Sequence, residues 1–231
     1  MRLTEATLRT RIKICGLTRE EDVDAAVQAG ADAIGLNLYP PSPRYVNPAR
    51  ALQLAGRLPT FVTPVLIFVN ASSVQVQSVL QKIPHALLQF HGDETPEDCL
   101  RASHGGLQPF LRAARIPRGE AGANFDLIEY AKRYARAQAI LLDAQVDGYG
   151  GGGATFQWSL LPPSVDAHLV LSGGLTPANV ADGIAQLRPR CKSLAVDVSS
   201  GVESSRGIKD TVKIQQFVAA VRAADEQLAQ A

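Results

Sequence analysis

Short apolar runs alternate with longer amphipathic ones from Arg11 to about Leu228, and this alternation predicts a succession of strands and helices. Arg11–Cys15 reads as a strand and Glu20–Ala29 as a helix closed by Gly30. Asp32–Leu38 with Pro48–Leu58 repeats the unit, as do Val65–Val69 with Val74–Lys82 and Ala86–His91 with Pro96–Ser103. A fifth strand is expected near Gln108–Ala113, with a helix near Phe125–Arg136. Ala139–Asp143 reads as a sixth strand; a long glycine-rich loop follows, then a short helical stretch, Gln157–Leu161, stopped by Pro162-Pro163. His168–Ser172 precedes a helix from Pro177 to about Leu187, and Ser193–Val198 precedes one from Lys209 to about Leu228.

Strands that alternate with helices imply a parallel sheet with helical crossovers. Eight such units in 231 residues suit one closed barrel, and no linker-like stretch divides the chain. The expected fold is therefore α/β, a (β/α)₈ TIM barrel over residues 1–231, with residues 1–9 as an N-terminal extension. An open doubly wound sheet is the competitor. It is disfavoured because no glycine-rich dinucleotide turn follows the first strand.

Strand phase adds a second prediction. Successive strand residues face opposite ways, so Ile12 and Ile14 oppose Arg11, Lys13 and Cys15. Likewise Ile140 and Leu142 oppose Leu141 and Asp143, and Leu194, Val196 and Val198 oppose Ser193, Ala195 and Asp197. The wholly apolar faces should meet the outer helices. Lys13, Cys15, Asp143 and Asp197 should then point into the barrel, where isolated charge is costly. A Lys13–Asp197 pair between the first and eighth strands would satisfy both groups.

Composition narrows the function classes. Lys and Arg total 23 against 22 Asp and Glu, a net charge of +1 that offers no global field for nucleic acid or an anionic membrane. The three cysteines are widely spaced and odd in number, which reads as a reducing compartment, and cytoplasm is the default expectation. No metal-ligand spacing is present, no signal-peptide core opens the chain, and no apolar run approaches the length of a membrane helix. A monomer is favoured over a homodimer because no unusually apolar helix face stands out.

In a parallel barrel, functional groups collect at the C-terminal ends of the strands. Those ends carry Cys15, Asn37, Gln89 to Gly92, Asp143, Ser172-Gly173-Gly174 and Ser199-Ser200-Gly201. The Gly/Ser loops after the seventh and eighth strands match the recurrent phosphate site of this fold, and Pro177 is expected to open the next helix. Each loop alone is as well explained by a tight turn; the two on one rim favour phosphate. Cys15 is by position a small buried hydrophobe or a base. As a base it must be a thiolate, which at an ordinary pKa of about 8.5 needs roughly 2 kcal/mol of help near neutrality. Lys13 or a helix N-terminus could supply it. Asp143 is a candidate general acid or a loop-bonding aspartate, with Asp147 competing for either role. The Gly150–Gly153 run reads as a lid, and Arg44, between Pro43 and Tyr45, as a carboxylate-matching arginine or an ordinary surface one.

Taken together, these segments resemble the phosphoribosylanthranilate isomerase family. The match runs through Lys13-Ile14-Cys15-Gly16-Leu17-Thr18, Gly30-Ala31-Asp32-Ala33-Ile34-Gly35, Ser42-Pro43-Arg44-Tyr45 and Gln89-Phe90-His91-Gly92-Asp93-Glu94. It continues through Leu142-Asp143, Gly150-Gly151-Gly152, Ser172-Gly173-Gly174-Leu175 and Asp197-Val198-Ser199-Ser200-Gly201-Val202-Glu203. The family often has Leu where Phe90 stands, and Thr directly after the glycines where this chain has Ala154-Thr155. The resemblance implies an Amadori rearrangement of a phosphorylated aminoaldose to an aminoketose, without cofactor or metal. It implies that Asp143 is the general acid, Cys15 the general base, and Arg44 the group for the anthranilate carboxylate. It also implies that Gly173, Gly174, Ser200 and Gly201 hold the phosphate.

Two other readings stay in view. A sibling isomerase of histidine biosynthesis would carry an aspartate at the end of the first strand and two phosphate sites. A non-catalytic phosphate-binding barrel would be expected to lose Cys15 or Asp143 while keeping the glycine loops.

Overall fold

The computed structural model describes residues 9–145 and 157–230. Asp147 and the glycine run from Gly150 lie outside the described residues, as do residues 1–8 of the expected extension.

Eight parallel strands close in sequence order into a barrel. They are β1 Arg11–Cys15, β2 Ala33–Asn37, β3 Thr63–Phe68, β4 Leu87–Phe90, β5 Phe110–Ile116, β6 Ala139–Ala144, β7 Val165–Leu171 and β8 Cys191–Val198. The intervening helices are α1 Glu20–Ala29, α2 Pro48–Ala55, α3 Ser73–Leu80, α4 Pro96–Ala102, α5 Glu120–Ala123, α6 Leu127–Arg133 and α7 Val180–Leu187. A short hairpin, β9 Glu203–Ser205 with β10 Ile208–Lys209, leads into α8 Thr211–Gln230.

Local chemistry explains the helix starts. Ser72 and Thr95 each form a reciprocal capping box, with Gln75 and Asp98, at the heads of α3 and α4. Asn47 accepts from the Arg50 N–H with Pro48 as the first helical residue of α2. The strands divide as their period-two phase predicts. Ile12, Ile14, Leu142, Leu194 and Val196 pack outward with helix residues such as Val23, Leu54, Ile184 and Phe217 in the main core. Val65, Leu111, Ala113, Ala139, Leu141 and Val170 fill a smaller core inside the barrel. Above that plug the inward positions turn polar, which is what places chemistry at the rim.

Several expected boundaries move, each for a tertiary reason. β5 starts at Phe110 and runs through two arginines that break the apolar pattern. Arg112 is tolerated in the wall because Glu94 pairs with it at 3.2 Å and Tyr134 stacks under it at 5.0 Å. Arg115 emerges at the rim, where it pairs with Asp93. The helix expected near Phe125–Arg136 is α6, Leu127–Arg133, where the Asp126 side chain caps the Glu129 N–H, and the short α5 precedes it. Pro177 does not open α7: Thr176–Asn179 forms a turn in which the Asn179 side chain accepts from the Thr176 N–H at 2.8 Å, and the helix begins at Val180. The last helix starts at Thr211 because Lys209 is drawn into β10, leaving Asp210 to accept from the Val212 and Lys213 N–H groups.

Candidate active site

Cys15 ends β1 with its side chain inward, half-buried and free of any disulfide. Its neighbour across the sheet is Gly35, and a Cβ there would stand 2.8 Å from the Cys15 sulfur, so a side chain at that position would crowd the thiol. Two residues earlier on the same face, Lys13 faces Asp197 of β8 in register and donates to its Oδ1 at 2.8 Å, both side chains being about 5% exposed. The expected pair is therefore present. Burial alone would lower the Lys13 ammonium, but Asp197 and Cys15 outweigh it and hold its pKa above the usual lysine value. The ammonium is thus a permanent cation beside the thiol.

That cation does not by itself make a thiolate. Burial, reinforced by the Asp197 charge, pushes the Cys15 thiol up; Lys13 and Lys209 oppose this and lose. The sequence expectation that Lys13 could supply the ionisation is corrected to this extent. A thiolate at Cys15 is scarcer, and more basic, than that of an ordinary thiol. Burial dominates the other two cysteines, raising Cys99 to about 12 and Cys191 to about 11; Cys99 lies in α4 and Cys191 opens β8, at the opposite end of the barrel from the rim.

Asp143 lies on β6, inward, 5% exposed. Its Oδ2 stands 3.0 Å from His91 Nε2, and His91 Nδ1 stands 2.9 Å from the side-chain nitrogen of Gln89. Gln89, His91 and Asp143 form a buried chain across the top of β4 and β6. Gly173 touches its end: a Cβ there would meet the Ala144 N at 2.7 Å and Asp143 Oδ1 at 2.9 Å. The glycine loop after β7 and the candidate acid are thus packed against one another.

The two Gly/Ser loops also meet. A Cβ on Gly201 would fall 1.9 Å from the Leu175 carbonyl oxygen, so only glycine lets the loop after β8 lie on the loop after β7. Among the described residues, nothing accepts a hydrogen bond from the backbone N–H groups of Gly173, Gly174, Ser200 or Gly201. Four donors left unused at one rim suit an anion.

Arg44 reaches this rim from the loop after β2, but it does not lie open at the surface. Its Nε and Nη2 donate to the two oxygens of Glu203 at 2.7 and 2.9 Å, and the residue is 6% exposed. Lys209 donates to Glu203 at 2.9 Å and to the Ser199 carbonyl at 3.0 Å, while the Ser199 hydroxyl donates to the Cys15 carbonyl at 3.1 Å. Burial resists ionisation of Glu203, but its bonds to Arg44 and Lys209 prevail and hold the carboxyl below its usual range. Arg44 keeps Nη1 outside this pair.

Sequence reasoning thus located Cys15, Lys13, Asp197, Asp143 and both loops. It gave no role to His91 and Gln89, though it placed both on the rim with Ser199, and none to Glu203 or Lys209. The first two had a usable signal: Leu87, Gln89 and His91 alternate onto the inward face, so two polar residues follow one apolar residue at a strand end. The Arg44–Glu203 contact joins residues 159 positions apart and had no local signal.

Such a rim can take a proton from one atom of a bound anion and return one to another, which is the work of an acid–base isomerase built on a (β/α)₈ barrel. Comparison with known proteins makes the class specific. The model of the N-(5'-phosphoribosyl)anthranilate isomerase family matches residues 12–220. The chain is 60% identical over 217 residues to N-(5'-phosphoribosyl)anthranilate isomerase of Leptothrix cholodnii, covering 94% of this chain and 93% of the relative. It is 54% identical over 221 residues to the Dechloromonas aromatica enzyme of the same name, covering 96% of this chain and all of the relative. The solved phosphoribosylanthranilate isomerase of Thermotoga maritima superposes with a TM-score of 0.80 at 37% identity, over 93% of this chain and 99% of that one. Another solved isomerase of this kind holds reduced 1-(o-carboxyphenylamino)-1-deoxyribulose 5-phosphate; it superposes at 0.74 with 33% identity, over 93% of this chain and 99% of that one. This chain belongs to the N-(5'-phosphoribosyl)anthranilate isomerase family.

Proposed function

We propose that Asp143 and Cys15 divide between them the reaction for which the family is named. In it N-(5-phosphoribosyl)anthranilate becomes 1-(o-carboxyphenylamino)-1-deoxyribulose 5-phosphate, a step of tryptophan biosynthesis. Asp143 gives its proton to the furanose ring oxygen. The C1–O bond breaks toward that oxygen and the anilino nitrogen lone pair forms C=N. The Cys15 thiolate then takes the C2 proton, the C2–H pair forms C=C, and the C=N electrons return to nitrogen. The resulting enolamine tautomerises to the ketone. Acid and base stand on different strands because the two protons sit on different atoms of the sugar.

The observation that carries this reading is the inward pairing of Cys15 with the Lys13–Asp197 couple on the rim that also bears Asp143. Lys13 can balance the thiolate as it forms, and the raised thiol pKa makes that thiolate a strong base once formed. The free N–H groups of Gly173, Gly174, Ser200 and Gly201 take the phosphate, and Arg44, aligned by Glu203, offers Nη1 to the anthranilate carboxylate. Anchoring the substrate at both anionic ends holds C1 and C2 between acid and base.

The test uses the fluorescence of the anthranilate group. Purified protein should consume phosphoribosylanthranilate with a change of emission. A protein that binds the substrate analogue yet leaves emission unchanged would be a retired barrel instead. Among the described residues no helix is long and apolar enough to cross a membrane. We retain the cytoplasm as the site of action and the monomer as the working form. The large exposed apolar side chains Phe61, Val74 and Leu107 each stand on a different segment. Light scattering at assay concentration checks the monomer.

A further inference from the structure

Gln89 is 1% exposed, and among the described residues its buried side-chain oxygen has no hydrogen-bond partner. An orphaned buried acceptor is destabilising, so its presence beside the candidate acid calls for a reason. The other end of the same amide gives one. Its nitrogen stands 2.9 Å from His91 Nδ1, and an amide nitrogen can only donate. His91 Nδ1 must therefore be the bare, accepting nitrogen of a neutral ring, and the ring proton must sit on Nε2. That nitrogen faces Asp143 Oδ2 at 3.0 Å.

We infer that Gln89 is a positioning residue: by donating to His91 Nδ1 it selects the Nε2–H tautomer, which pins Asp143 Oδ2 and leaves Oδ1 as the oxygen that carries the proton for transfer. The inference rests on the reading of Asp143 as the general acid. Oδ1 is the oxygen that lies against Gly173, on the side of the glycine loops, and among the described residues no donor bonds to it. With Oδ2 held as an acceptor, the acid's proton can only reside on Oδ1. When Oδ1 loses that proton to the ring oxygen, the His91 bond remains and gains charge assistance. A half-turn of the amide would reverse the outcome. Its oxygen would then require Nδ1–H, Nε2 would become an acceptor, and Asp143 would be led to hold its proton on Oδ2, turned away from the loops. The orphaned oxygen is thus the cost of presenting the donor end to the ring.

The ring nitrogens report the tautomer directly. In protein labelled with ¹⁵N-histidine, with His91 assigned by its loss in His91→Gln, we expect the neutral signature with Nε2 protonated and Nδ1 bare. A Nδ1–H ring or an imidazolium at neutral pH would overturn the inference. Gln89→Met keeps the shape without the donor, and Gln89→Glu keeps the shape with acceptors only. Gln89→Met should shift His91 toward a mixture of tautomers and lower kcat roughly tenfold, part of the ~10²–10⁴ that acid–base catalysis is worth, with KM nearly unchanged. Gln89→Glu should move the proton to Nδ1 and lower kcat further. Equal kcat in the two variants with an unchanged His91 signature would mean that Gln89 only fills space. Should Gln89→Glu fail to fold, the wild-type and Gln89→Met spectra still decide. Full turnover in Asp143→Asn would sink the acid assignment and leave the tautomer measurement standing, so the two failures are separable.

Discussion

The barrel buries charge at both ends, and the two ends use it differently. At the base, where the strands begin, the Asp225 carboxylate of α8 accepts from the Thr10 N–H at 2.7 Å, from the Thr10 hydroxyl and from Arg188 at 3.0 Å. Asp32 nearby accepts from Arg9 at 2.7 Å and from the Ile12 N–H at 2.9 Å, and Arg222 donates to the Thr10 carbonyl at 2.8 Å. These carboxylates are filled on both oxygens by fixed partners, so the cluster ties the last helix to the first strand. At the rim the networks stop short. Among the described residues, four N–H groups of the glycine loops have no acceptor, Gln89 has an orphaned oxygen, Asp143 has one unbonded oxygen, and Cys15 is held as a thiol against two ammonium groups. Buried polar groups that are satisfied act as glue; those left with spare capacity are available to a ligand or a proton.

Substitutions at the two ends should therefore fail differently. The largest effect belongs to the rim: Cys15→Ala and Asp143→Asn should each lower turnover at least about a hundredfold while melting close to the parent. Near-full turnover in Cys15→Ala, read by anthranilate fluorescence, would remove it as the base. At the base, Asp225→Ala should cost about 3 kcal/mol in urea unfolding, because it removes the carboxylate that Arg188 and both Thr10 donors share, yet leave kcat of the folded protein intact. A fall in kcat without a fall in stability would break the distinction between the ends. Arg44→Ala tests a residue that belongs to both kinds, since it is buried and paired yet has a nitrogen to spare. It should raise KM by roughly tenfold or more, the worth of a charged hydrogen bond, with kcat little changed; a pure kcat effect would contradict a binding role.

The smallest effect lies in pH. Glu203 has a folded-state pKa below its ordinary 4.5, so the stability it contributes is full above that value and is lost as pH falls through the folded one. Thermal melts should therefore decline on acidification below about pH 4.5, and Arg44→Ala should make that decline shallower. Activity should respond with the opposite origin. The raised Cys15 thiol yields more base as pH rises, so kcat should climb through neutrality and above it.

Much of the barrel was legible because its signals are local. β1 and α1 fall on the residues that periodicity and Gly30 mark, and the inward phase of Lys13, Cys15, Asp143 and Asp197 follows from strand alternation alone. β5 runs on to Ile116, past the expected end at Ala113, because Arg115 looks like a loop residue until Asp93 is brought beside it. Pro177 has the chemistry of a helix start, but the Thr176–Asn179 turn intervenes. The β9–β10 hairpin, only three and two residues long, is too short for alternation to register.

What the chain determines by itself is which side of each strand carries chemistry and in what order the strand ends follow. Both depend on a two-residue period and on punctuation within a few positions, so a thiol, a carboxylate and two glycine loops could be assigned to one rim from the letters alone. What only the tertiary structure decides is who satisfies whom. Closing the barrel sets Glu203 against Arg44, His91 against Asp143, and Asp197 with its raising influence beside Cys15. Protonation depends on distances of a few ångströms between residues tens to hundreds of positions apart, and no local pattern encodes those distances.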